Sequence, residues 1–171
     1  MRLSVLKLRL FRNLGDQELS FPPEGVAIIG ANAQGKSNLL EAIYYLETFR
    51  SFRGARMEQL IAFGEDVFRV AGQVASENDA GGSSTEVAAA YERSTRRRKV
   101  TINGTEPERI GDAIGRFGAV IFSPADLGIV NGGPVRRRRF MDVALSLNEE
   151  GYLVALQSFR HGLAQRNAAL R

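Results

Sequence analysis

Residues 26–46 read VAIIGANAQGKSNLLEAIYYL, an apolar segment followed by a loop of small residues and then by a helical pattern. Residues 26–29 are apolar and largely β-branched, which is typical of a fully buried strand. Leu39, Ile43 and Leu46 recur at the spacing of one helical face. The sequence therefore predicts a buried strand, a loop and an amphipathic helix in this order.

The loop fits the pattern G-x-x-x-x-G-K-[ST] of phosphate-binding loops. Glycine lets successive backbone N–H groups approach phosphate oxygens without a clash from a Cβ atom. Lys36 is expected to reach the β- and γ-phosphates, Ser37 to complete the coordination of a bridging Mg²⁺, and the helix N-terminus to face the same anion. The predicted nucleotide-binding residues are Gly30, Ala31, Asn32, Ala33, Gln34, Gly35, Lys36 and Ser37, with Ser37 also the metal ligand.

Composition narrows the class of protein. The 171 residues include 23 Lys and Arg against 19 Asp and Glu, no cysteine and one histidine. Disulfides and thiolate metal sites are excluded, and a zinc site is not expected. No apolar run is long enough to span a membrane, and the N-terminus lacks the pattern of a signal peptide, so we expect a cytoplasmic location. The basic balance is compatible with a nucleic-acid partner but is not specific for one.

The chain is expected to form two parts, an ATP-binding α/β lobe over residues 1–122 and the start of a helical lobe over residues 123–171. Alternation and short apolar runs predict strands near residues 6–10, 17–21, 67–74, 86–91, 99–102 and 119–122, a polar linker at 76–85 and a short helix at 108–117. Helices are predicted from Ser123, from Pro134 to Leu147 and from Glu149 onward.

Asp126 admits two interpretations. ATP hydrolysis needs a second carboxylate that holds Mg²⁺ at the end of an apolar strand, and AVIFSPAD is the nearest approach to that pattern. Ser123 and Pro124 instead mark the start of a helix that Asp126 would cap. The capping role is the one we favour.

Several motifs, in this order, together resemble the RecF family of bacterial recombination mediators. They are LRLFRN, GANAQGKSNLLEAIYYL, FRSFR at 49–53, INGTEP, VIFSPADL, GGPVRRRRFMD and LAQRN. The resemblance implies an α/β P-loop NTPase, an ABC-type ATPase head of the SMC/Rad50/RecF kind with the beginning of a helical second lobe. It implies ATP and Mg²⁺ as cofactors and places Arg12 and Asn13 beside the nucleotide.

The resemblance also implies a role in DNA replication, recombinational repair and the SOS response. Such proteins form an ATP-dependent homodimer, bind gapped or single-stranded DNA, and help load RecA together with RecO and RecR. The family usually has glycine and threonine where this chain has Ala33 and Ser37. Serine keeps the hydroxyl, whereas alanine adds about 1 kcal/mol of strain if that position needs a positive φ.

The signature motif and the Walker B Asp-Glu of the family do not occur in this chain. We therefore expect an N-terminal fragment that binds ATP without turning it over and holds no complete catalytic set. Two alternatives stay open: the P-loop part of an overcoming-lysogenization-defect-type nuclease, and an interaction module in which the nucleotide is only structural.

Two groups of arginines are candidates for nucleic-acid contact. One group, Arg96, Arg97 and Arg98, lies at a predicted hairpin that also carries Arg93 and Lys99. The other group is Arg50, Arg53 and Arg56, which would share a face if the helix after the P-loop continued that far. Residues 136–139 are also arginines, but four consecutive helical residues cannot all face one duplex. One or two are therefore expected to pair with acids such as Asp142 or Glu149, or with the α/β lobe.

Overall fold

The computed structural model describes residues 1–75 and 84–170. The chain divides into two compact units, Met1–Ile121 and Phe122–Arg171, which are described separately here. Most of the polar linker expected at 76–85 lies outside the described residues.

A five-stranded antiparallel sheet forms the frame of the first unit, with the strand order β2-β1-β3-β4-β5. The strands are β1 (Arg2–Arg9), β2 (Gln17–Ser20), β3 (Val67–Ala75), β4 (Ser84–Glu92) and β5 (Arg97–Ile102). Each corresponds to a strand that the sequence predicts. Asn103 and Gly104 both have positive φ (49° and 79°) in the turn that follows β5, as an Asn-Gly pair predicts.

Helix α1 (Lys36–Thr48) packs against this sheet and follows the P-loop directly. Its Tyr45 ring meets Phe68 of β3 at a centroid distance of 5.4 Å, and Phe68 meets Phe11 at 5.3 Å. A Cβ atom on Gly72 would lie 2.7 Å from a methyl group of Leu46, so glycine lets α1 approach β3 closely. Burial of this aromatic cluster fixes the helix that carries the P-loop.

Two predicted strands are wrong. Residues 26–29 form no strand, and Ile29 is 91% exposed. Residues 119–122 form no strand either, and Phe122 is 91% exposed. An apolar run predicts burial, but a strand also needs a neighbour for its backbone groups, and no described strand pairs with these segments.

The helix expected at 108–117 is reduced to a 3₁₀ turn over Ile110–Ala113, because Gly111 and Gly115 weaken it.

The second unit is helical. A 3₁₀ turn (Pro124–Asp126) leads into α2 (Leu127–Asn131), α3 (Pro134–Asn148) and α4 (Tyr152–Ala169). None of the helices in the described ranges is both long and apolar enough to cross a bilayer.

Polar contacts in this unit settle two expectations. The Asp126 carboxylate accepts from the backbone N–H of Ser123 at 2.7 Å and from its hydroxyl at 3.1 Å, which confirms the capping role. Asp142 pairs with Arg160 at 2.7 Å, so its expected pairing with residues 136–139 is wrong. Arg137 instead donates to the carbonyl oxygen of Gly132 at 2.9 Å.

Glu47 gives the first unit a testable pH dependence. This side chain of α1 is 5% exposed, and its Oε2 atom has no partner among the described residues. Burial raises the pKa of the Glu47 carboxyl, against a hydrogen bond from the backbone of Ala119. The folded state therefore binds the proton of the Glu47 carboxyl more tightly than the unfolded state does. The free energy of unfolding rises as the pH falls from above the raised pKa of Glu47 towards the ordinary pKa of glutamate.

We expect Glu47→Gln to raise the free energy of unfolding by about 1 kcal/mol at neutral pH, because no charge is then buried. The gain should shrink as the pH falls towards the ordinary pKa of glutamate, as urea unfolding at several pH values would measure. The control is Glu106→Gln, where Lys99 lowers the pKa of the exposed Glu106 carboxyl; it should give no gain at neutral pH. A loss of stability in Glu47→Gln would contradict the prediction.

Candidate functional site

The P-loop ends where α1 begins, and no side chain caps the start of this helix. Gly35 is the N-cap residue and has φ of 95°, in the left-handed region that favours glycine. The first turn of α1 contains no acidic residue. The free N–H groups and the positive end of the helix are therefore available to phosphate oxygens.

Lys36 is the charged residue of the loop. Its ammonium group donates to the carbonyl oxygens of Gly30 and Ala31, both at 2.7 Å. An ammonium group has three donors, so two of them fix the charge over the loop and one remains for a ligand. Ser37 follows in the first helical turn and is exposed.

The FRN segment closes one side of the P-loop. A Cβ atom on Gly35 would lie 2.7 Å from Leu14 Cδ2 and 2.9 Å from Asn13 Oδ1. Asn13 Nδ2 donates to the carbonyl oxygen of Ala33 at 3.2 Å. Ala33 itself has φ of 66°, so the condition for strain at this alanine is met. The structure thus brings Asn13 directly to the loop.

Arg12 directs its guanidinium group to a carboxylate, and its place beside the nucleotide stays a prediction. Its guanidinium donates to the two carboxylate oxygens of Glu41 at 2.9 and 3.0 Å. Glu41 lies on α1 and is 0% exposed. Ser51 also donates to Glu41, and Arg53 Nη1 lies 3.6 Å from Glu41 Oε2. A buried charge needs such partners to offset its desolvation.

Ser51 fixes the turn after α1. Its hydroxyl oxygen accepts from the backbone N–H groups of Arg53 (3.0 Å) and Ala55 (3.2 Å). The helix ends at Thr48, so Arg50, Arg53 and Arg56 do not share a helical face. Arg50 is exposed, whereas Arg53 turns back towards the P-loop helix.

Arg56, Arg93 and Arg96 line an open cleft of about 580 Å³, together with Glu58 and Gln59. We call this the basic cleft. Among the carboxylates of the described residues, none forms an ion pair within 4.0 Å with any of these three guanidinium groups. The three arginines therefore have no close ion pair among the described residues, and the carboxylate that acts on Arg56 and Arg96 electrostatically is Glu58.

Glu58 is the acidic residue of the basic cleft. It accepts a hydrogen bond from the hydroxyl of Tyr91 at 2.8 Å. A hydrogen bond from its own backbone and this bond from Tyr91 lower the pKa of the Glu58 carboxyl. The same contact raises the pKa of Tyr91. Glu58 is thus an ionised, partly satisfied acceptor beside the arginines.

The remaining hairpin residues have partners. Arg98 donates to the carbonyl oxygen of Phe49 at 3.1 Å, at the left-handed end of α1. Arg97 and Lys99 lie 3.9 and 3.0 Å from Glu106. Of the loop residues, Ala31, Asn32 and Gln34 are exposed, and their role in binding stays a prediction.

Sequence reasoning missed Glu41, Asn38 and Ser51 as site residues, whereas Arg93 already belonged to the candidate hairpin. Of the expected helical face, Leu46 is fully buried, and Leu39 and Ile43 pack partly buried against the core. Glu41 and Tyr45 of α1 are fully buried as well, and no sequence pattern marks that burial of Glu41.

Replacing Ala33 by glycine tests the strain in the loop. Ala33 has φ of 66°, whereas Ala31 is not among the residues with positive φ. We expect Ala33→Gly to be more stable than the matched Ala31→Gly by about 1 kcal/mol, because only the first removes a left-handed Cβ penalty. Urea unfolding measures the difference, and equal stability of the two variants would contradict the geometry.

Comparison with known proteins gives the family of this chain. Residues 2–119 match the family described as the RecF/RecN/SMC N terminal domain. The DNA replication and repair protein RecF of Caldanaerobacter subterraneus subsp. tengcongensis is 41% identical over 172 residues, which is 100% of this chain and 46% of the relative. RecF of Lacticaseibacillus casei is 38% identical over 171 residues, 100% of this chain and 44% of the relative.

Solved structures with a similar fold include RecF. A structure of the recombination mediator protein RecF-ATP in the RecFOR pathway has a TM-score of 0.89 and 38% identity, covering 99% of this chain and 46% of that chain. The SMC head domain from Thermotoga maritima shares the fold, with a TM-score of 0.55 at 23% identity over 69% of this chain and 43% of that one. This chain spans less than half the length of the RecF relatives it matches. Its fold is that of a P-loop ATPase head, and the chain belongs to the RecF/RecN/SMC N-terminal domain family, matching RecF proteins along its whole length.

Proposed function

We propose that this chain is the nucleotide-binding part of a RecF-type DNA replication and repair ATPase, with ATP bound over Gly30–Ser37. The observation that carries the proposal is the P-loop itself: Gly35 is left-handed, Lys36 lies over the loop, and no side chain caps the N-terminus of α1. Support also comes from the RecF-ATP structure, to which this chain is 38% identical.

In this proposal the loop amides and the ammonium of Lys36 neutralise the phosphates. Mg²⁺ fits beside the exposed Ser37, whose hydroxyl is an oxygen ligand of the type that this ion prefers. When bound, the ion would neutralise part of the phosphate charge. No group of three or more His, Cys, Asp or Glu side chains that could hold a metal ion occurs in the described ranges.

For the whole protein we propose the activity expected of RecF. It would form an ATP-dependent homodimer in the cytoplasm, bind gapped or single-stranded DNA, and help RecO and RecR to load RecA. The match to RecF proteins over 100% of this chain favours this function over a nuclease. Since the chain spans 44–46% of those relatives, the dimer and the protein partners are proposed for the whole protein.

For DNA contact we propose the basic cleft. Arginine donates well to phosphate oxygens. The guanidinium groups of Arg56, Arg93 and Arg96 in the cleft are not paired with carboxylates of the described residues. Arg97 and Arg98 are less suited, because Glu106 and the carbonyl of Phe49 already engage them. Phosphate contacts of this kind give affinity without sequence specificity.

Lys36→Ala tests the nucleotide site. We expect the affinity for Mg-ATP, measured by calorimetry on the full-length protein, to fall at least about tenfold, since a charge-assisted contact is lost. ATP-dependent retention of DNA should fall with it. Lys99→Ala, which removes a lysine paired with Glu106, is the matched control and should bind ATP normally. Unchanged binding in Lys36→Ala would refute the site.

The DNA proposal is tested by Arg56→Ala, Arg93→Ala and Arg96→Ala, singly and together. The triple variant should bind DNA at least about tenfold more weakly, and the slope of log affinity against log salt should fall by about 0.7–0.9 for each lost phosphate contact. Arg69→Ala is the control, because Arg69 is exposed but lies 3.6 Å from Glu86. An unaltered salt slope in the triple variant would rule out the basic cleft.

A further inference from the structure

Three side chains form an unbroken series of hydrogen bonds that ends on the P-loop. Arg53 Nη1 donates to Asn38 Oδ1 at 2.8 Å. Asn38 Nδ2 donates to Asn13 Oδ1 at 2.7 Å. Asn13 Nδ2 then donates to the carbonyl oxygen of Ala33 at 3.2 Å. We call Asn13, Asn38 and Arg53 the amide relay.

The chemistry of its two ends fixes the direction of the amide relay. A guanidinium group only donates hydrogen bonds, and a backbone carbonyl oxygen only accepts them. Asn38 must therefore turn its oxygen to Arg53 and its NH₂ group to Asn13. Asn13 in turn presents its NH₂ group to Ala33. If either amide were reversed, two donors or two acceptors would face each other.

Glu41 holds both ends of the amide relay. Its carboxylate lies 3.6 Å from Arg53 Nη1 and pairs with Arg12 at 2.9 Å. Arg12 precedes Asn13 in the chain and has φ of 57°, so the ion pair also anchors the backbone that carries Asn13. The contacts close a ring around one carboxylate that is 0% exposed.

We propose that the amide relay holds the P-loop backbone at Ala33 in the conformation that receives a nucleoside triphosphate, with Asn38 and Glu41 as positioning residues. Ala33 occupies the left-handed region at φ of 66°, where alanine is strained, so an external hydrogen bond on its carbonyl oxygen opposes relaxation of the loop. This inference rests on the proposed nucleotide binding and adds which residues prepare the loop.

Asn38 acts on the loop only through Asn13. Each single change should weaken binding, but the second change should add little once the first has broken the amide relay. Residues that contribute independently would instead give effects that multiply. This difference separates positioning from general destabilisation.

The experiment is calorimetry of Mg-ATP binding to the full-length protein, below the onset of thermal unfolding of every variant. Asn38→Leu and Asn13→Ala are each expected to weaken binding about fivefold, the effect of one hydrogen bond. The double variant should be no weaker than Asn13→Ala alone. The control is Asn103→Leu, since Asn103 bonds the backbone of Glu86; it should leave the affinity unchanged, alone and with Asn13→Ala.

Asn38→Asp provides a second arm if the leucine variant does not fold. Aspartate can still accept from Arg53 but cannot donate to Asn13, so binding should weaken by a similar factor. The loss should persist in high salt, where simple repulsion between aspartate and phosphate is screened. An affinity equal to wild type in a folded Asn38 variant, or multiplying effects in the double variant, would overturn the inference. Absence of binding in the folded wild-type protein would overturn the proposed function, and this inference with it.

Discussion

The ion pair between Glu41 and Arg12 connects the segments that surround the P-loop. A carboxylate that is wholly removed from water is costly unless opposite charges and hydrogen bonds replace its hydration. Glu41 obtains these from Arg12 before the loop and from Ser51 and Arg53 after α1. Because those partners are distant in sequence, one buried charge determines where three separate stretches of backbone meet.

The P-loop was predictable because its physics is local. A glycine that must adopt a left-handed conformation, a lysine and a hydroxyl are specified within eight consecutive positions, and the structure confirms the strained geometry at Ala33. The five strands were also predictable, since alternation and β-branched runs reflect the pleat of the chain itself. Residues 26–29 and 119–122 were not, because a strand depends on a neighbour as well as on its own composition.

The site beyond the loop could not be predicted in this way. Glu41 lies among apolar helix positions, and its burial follows only from partners brought in by the tertiary fold. Arg98 belongs to a run of basic residues that resembles a solvated turn, yet it caps the end of α1 through Phe49. Which arginines remain unpaired depends on such long-range contacts, so the sequence could name candidates for DNA contact but could not sort them.

The pairing of β1 with β3 has a consequence for how the protein assembles. Arg9 lies opposite Arg69, and the intervening chain contains β2, the P-loop, α1 and the partners of Glu41. Joining these strands is a long-range closure whose entropic cost is offset only by the contacts that the two strands then make. A nucleotide that binds only the closed form would, on the proposed function, favour that closure by mass action. Binding of nucleotide to the P-loop and pairing of β1 with β3 would then favour each other, so the nucleotide would promote folding as well as act as a ligand.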